Sequence, residues 1–92
     1  MLTETIAVNV CRTTKLEALG HQYEGWLGVE AQEVRVAIGM MRALAVRNVL
    51  TRREGTVLFL PINPTSDPSG ELIVQRAADA YDAISSAEAI SN

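Results

Sequence analysis

The run 56–60 (TVLFL), closed by Gly55 on one side and Pro61 on the other, constrains the fold more than any other feature. A short, unbroken apolar run between two such boundaries predicts a buried β-strand. A strand cannot stand alone, because its backbone N–H and C=O groups need a neighbour to pair with. The best candidate neighbour is 3–12 (TETIAVNVCR), where Ile6, Val8 and Val10 alternate with Ala7, Asn9 and Cys11. Threonine and valine enrichment supports that strand. The same residues also fit a helical period through Ile6, Val10, Thr13, Leu16, Gly20, Tyr23 and Leu27. The strand reading is preferred, and the helical one supports a mostly α alternative. Residues 15–20 (KLEALG) read as a helical turn closed by Gly20, and 21–28 as a second strand or an irregular segment.

Residues 30–53 predict a long central helix. Glu30 and Glu33 open it and Arg52 and Arg53 close it, the charge order that a helix dipole favours. Gly55 is the expected stop. Its polar stripe (Arg35, Gly39, Arg42 and Arg53) is narrow, so most of its circumference should be buried. The three prolines fall in 61–70 (PINPTSDPSG), which reads as a loop. Asp67 is the expected cap ahead of Pro68, and 71–90 reads as a helix with Ile73, Ala77, Ala80, Ile84 and Ala87 on its apolar side. The expected architecture is a single α+β domain over 1–92, in the order β-(β)-α-β-α. A central-helix crossover would make strands 3–12 and 56–60 parallel and right-handed; a further strand at 21–28 could make the sheet mixed.

Charge is unevenly placed. Residues 34–53 hold five arginines and no acid, while the remainder has three basic residues against eleven acids, −8 in a chain whose net charge is −3. Hydrophobic residues make up 48% of the chain, too many for disorder. A chain this short buries only about 60–65% of its unfolded surface, so surplus aliphatic surface points to self-association. The single cysteine, Cys11, cannot form an intrachain disulfide, and no signal-peptide pattern opens the chain. Arg35, Arg42 and Arg47 interrupt the longest apolar stretch, which argues against a membrane span. A cytoplasmic protein is expected.

Two constellations could carry chemistry. Thr65, Ser66 and Ser69 surround a loop-to-helix junction where free N–H groups could hold an anion, with Arg35, Arg42 or Arg47 completing the site. No P-loop lysine accompanies them. The arginines could instead pair internally with Glu71, Asp79 or Asp82. A narrow basic stripe in a chain of pI near 5.0 argues against double-stranded nucleic acid. His21 and Glu24, beside Tyr23 and Trp26, are the residues a small enzyme would use. Tyr23 and Trp26 are better read as core-edge residues or interface anchors. No metal-ligand spacing and no cofactor motif is present. Met40 and Met41 read as adaptable packing.

Trp26-Leu27-Gly28 resembles the Trp-x-Gly turn of small secreted helical-hairpin proteins. The 56–60 run and the proline-rich loop interrupt the second helix that such a hairpin requires, so the chain is not assigned to that group. The functional expectation is a small non-catalytic adaptor, regulator or inhibitor of bacterial or phage type. It would act as a homo-oligomer through an apolar, arginine-rimmed surface that includes Ile38 and Met41. A binder of a small anionic ligand such as a nucleotide is the first alternative, an acidic protein partner is a further one, and an enzyme using His21 and Glu24 is the last.

Overall fold

The computed structural model describes residues 2–19 and 23–91. In chain order the elements are α1 (Leu2–Thr14), β1 (Glu17–Ala18), β2 (Trp26–Glu30), α2 (Val34–Val46), β3 (Arg52–Glu54), β4 (Val57–Pro61) and α3 (Glu71–Ser91). The strands form one sheet in the order β1-β2-β4-β3, with every neighbouring pair antiparallel. The chain is thus a small α+β domain, as its sequence implies, with the 56–60 run at the centre of the sheet as β4. Its main partner is β2, in a register that sets Trp26 opposite Pro61 and Gly28 opposite Phe59. The parallel crossover is not formed.

Residues 3–12 are helical, not extended. Ile6, Val10 and Thr14 recur every four residues and are each at most 1% exposed, while Val8 is 57% exposed. The helical period therefore matches burial, whereas the alternating period would have placed Val8 beside Ile6 and Val10. Thr14 closes the helix: its hydroxyl donates to the Val10 carbonyl (2.7 Å) and accepts from the Leu16 N–H (3.2 Å).

The expected central helix is also shorter. Glu30 belongs to β2, α2 stops at Val46, and Arg52 and Arg53 lie on β3. Beyond Val46 the Asn48 N–H donates to the Ala45 carbonyl (3.0 Å) and the Val49 N–H to the Leu44 carbonyl (2.9 Å), with Asn48 at φ 64°. That pair of bonds is a Schellman stop built on asparagine rather than glycine. Gly55, expected as the helix stop, instead sits at φ 63° in the turn of the β3–β4 hairpin. Trp26-Leu27-Gly28 runs along β2, so the helical-hairpin turn is absent.

The inner face of the sheet carries Leu27, Val29, Leu58 and Leu60. Against it pack Ile6 and Val10 of α1, Met40 and Leu44 of α2, and Ile73, Ala77 and Ala80 of α3. Both α1 and α2 pack on α3, which lies between them. Phe59 points to the other face and is still only 1% exposed. Tyr23 covers it edge-on (ring centroids 5.1 Å apart, planes at 68°). Gly28 makes room beside it, because a Cβ there would stand 3.2 Å from the Phe59 ring.

Phe59 is therefore a buried centre separate from the helix-covered core. Replacing it by alanine should cost about 3–5 kcal/mol in urea melts, the range for truncating a buried aromatic. A loss below about 1 kcal/mol would mean that Tyr23 does not hold a lid over this side.

Candidate functional site

A cleft of about 510 Å³ opens where the C-terminal end of α2 meets the 62–70 loop and the first turns of α3. The α2 stop contributes Arg47, Asn48, Val49 and Leu50. The last rung of the β2–β4 ladder contributes Trp26 and Pro61. Asn63, Ser66 and Asp67 come from the loop, and Leu72, Ile73 and Arg76 from α3.

Local hydrogen bonds fix this end of the molecule. The Asn63 side-chain oxygen accepts from the Thr65 and Ser66 N–H groups (3.2 and 3.3 Å), and the Asn63 carbonyl accepts from the Asp67 N–H (2.8 Å). Asp67 then receives the Leu72 N–H on one carboxylate oxygen (3.2 Å) and the Ile73 N–H on the other (3.0 Å). Ser69 accepts from the Glu71 N–H (3.4 Å). These are the backbone donors that an anion at the 65–70 junction would have used. The chain's own carboxylate and side-chain oxygens occupy them, as capping requires.

Of the residues singled out in the sequence, the cleft joins Arg47, Ser66 and Trp26. Thr65 and Ser69 stay exposed on the loop. Arg35 and Arg42 lie on the exposed side of α2, and Arg35 stands 3.6 Å from Glu33. Arg42 makes no ion pair among the described residues, so its expected pairing with Glu71, Asp79 or Asp82 is not formed. Asp79 instead accepts from the Gln75 side-chain amide (2.9 Å) within α3. Glu24 is exposed on the turn before β2, and His21 lies outside the described residues. No group of three or more histidine, cysteine or acidic side chains among the described residues could hold a metal. Nor is any helix there long and apolar enough to cross a membrane.

The sequence reading missed Arg76 and Asn63. Arg76 follows Leu72 and Ile73 at helical spacing, so the signal for it was present once α3 was placed.

Tyr23 has a defined role on the outer face. Its hydroxyl donates to the Glu54 carboxylate (3.1 Å), and Arg52 lies 5.5 Å from its ring centroid and 3.4 Å from Glu54. At the far end of β2, Glu30 faces the like-charged Glu17 across the ladder. Its carboxyl is nonetheless held below the usual range, because the Thr56 side chain and the Gln32 N–H both hydrogen-bond to the charged form.

Asp67 holds both the start of α3 and one wall of the cleft. Asp67→Ala should cost about 1–2 kcal/mol in chemical denaturation, as for loss of a strong helix cap, and Asp67→Asn should recover most of it. Equal stability of wild type and Asp67→Ala would show that the cap contributes nothing.

No protein-family model, curated protein or solved structure matches the chain.

Proposed function

We propose that this chain is a small non-catalytic binding protein, an adaptor or regulator, that works as a homo-oligomer through the outward side of α2. The observation that carries this reading is an apolar stripe of Val34, Ile38, Met41 and Ala45, spaced four, three and four residues apart and so on one side of the helix. The core-facing residues Ala37, Met40 and Leu44 occupy a different side. Val34 and Ala45 are exposed and Ile38 is half-buried, while Met41, also half-buried, packs against the core and marks the inner border of the stripe. Arg35 and Arg42 border the stripe. An amphipathic surface helix normally presents polar residues to water, so an apolar outer stripe favours a protein contact.

A second copy is favoured as the occupant because the charge on this flank is smaller than its arginine count implies. Glu33 lies beside Arg35 and Glu54 beside Arg52 (3.6 and 3.4 Å), which reduces repulsion between like copies. The neighbouring edge strand β3 is three residues long and charged throughout (Arg52, Arg53, Glu54). Such an edge resists pairing with another sheet, which leaves the α2 stripe as the adhesive element.

Sedimentation of the wild-type protein should show a concentration-dependent oligomer. Ala45→Arg, an exposed change in a residue type that helices accept, should weaken it at least about tenfold while leaving the melting temperature nearly unchanged. A wild-type protein that stays monomeric at high concentration, or an Ala45→Arg oligomer of unchanged affinity, would refute the proposal.

A further inference from the structure

We propose that the cleft beside Trp26 binds an organic monocarboxylate with an apolar body, the carboxylate meeting Arg76 and Arg47 and the body lying against Trp26. This site is separate from the α2 stripe and does not depend on it.

The first argument is size and lining. A cleft of about 510 Å³ falls within the roughly 300–1,000 Å³ of small-molecule sites. Trp26, Val49, Leu50, Pro61, Leu72 and Ile73 supply its apolar walls. Leu50 and Leu72 are 80% and 51% exposed, large side chains left in water at the cleft. An apolar body lying between them would remove that surface from water.

The second argument is the balance of donors and acceptors. Arg76 is half-buried and has neither an ion pair nor a hydrogen bond among the described residues. Arg47, also half-buried, uses one guanidinium N–H on the Ala43 carbonyl (2.8 Å), which leaves most of its fork open. Asn63 accepts two backbone N–H groups through its oxygen, so its amide NH₂ is available as a donor. The Asp67 carboxylate is engaged on both oxygens by the Leu72 and Ile73 N–H groups. The polar capacity left over is therefore largely donor capacity, suited to an anion.

The third argument is charge count. Two arginines and one aspartate leave the lining at +1, which matches a single carboxylate. A phosphate dianion would exceed that charge and face Asp67 as well. Arginine also matches the planar carboxylate through paired N–H donors. The carboxylate could belong to a free small acid or to the C-terminus of a peptide ending in an apolar residue, since both present the same atoms.

Trp26 is the single tryptophan of the chain, so its fluorescence reads this cleft alone. Purified full-length protein is titrated with hydrocinnamate and with hydrocinnamamide, its uncharged analogue. In parallel it is titrated with a short peptide ending in phenylalanine as the free acid and as the amide. A saturable change is expected with at least one free acid, and at least about tenfold weaker binding of the matching amide. Arg76→Gln should weaken the acid by a similar factor and leave the amide unaffected, with an unchanged circular dichroism spectrum; Arg47→Gln provides a second variant. Response to the peptide acid alone assigns the carboxylate to a chain terminus, and response to hydrocinnamate assigns it to a small molecule. Equal binding of acid and amide, no saturable response to either acid, or unchanged acid affinity in both arginine variants would overturn the proposal.

Discussion

The packing of α3 against both α1 and α2 is the contact on which the rest of the structure depends. It rests on small side chains. Ala77 and Ala80 are fully buried along α3, and Gly39 of α2 leaves room for Ile84, whose Cγ2 would stand 3.2 Å from a Cβ at that position. Small residues at a helix contact let the axes approach; larger ones would force them apart or strain the core. With α3 in the middle, all three helices share one face of the sheet, and α2 is left at its β3 side. That position leaves Val34, Ala45 and Val46 of α2 exposed. The other face of the sheet receives Phe59, with Tyr23 across it.

The same placement makes the cleft. The chain must travel from the end of β4 back to the start of α3, and Asn63 and Asp67 hold that path by accepting backbone N–H groups on the way. On the opposite wall, the asparagine-based stop of α2 turns Val49 inward, where it packs on the core, and leaves Leu50 exposed. Both walls are local devices with strong sequence preferences, yet the space between them exists only because α2 and α3 are neighbours.

How much of this was readable in the sequence depended on whether one period or boundary dominated. The 56–60 run, the proline-rich loop, the Asp67 cap and α3 were legible because each had unambiguous ends. Residues 3–12 were not, since Ile6, Val8 and Val10 satisfy an alternating pattern while Ile6, Val10 and Thr13 fall near a helical one. Only the exposure of Val8 separates them. The central helix is shorter than its sequence suggests because its stop is Asn48, a residue that adopts the left-handed conformation less often than glycine, whereas Gly55 further along is the residue type a helix stop favours. The candidate site is half legible: Arg47 and Ser66 stand out in the sequence and line one cleft, but Trp26 reads there as a core-edge or interface residue and Arg76 carries no signal of its own. Their proximity comes from tertiary packing, which no local spacing encodes.

The most direct test of this account is the stability of Ala80→Leu against Ala83→Leu, measured by urea denaturation. Ala80 is fully buried at the helix contact, and Ala83 is exposed on the same helix. If α3 is the common wall of the domain, Ala80→Leu should destabilise it by about 1–3 kcal/mol through overpacking. Ala83→Leu should stay within about 0.5 kcal/mol of wild type. Equal, small effects at the two positions would contradict the central place given to α3.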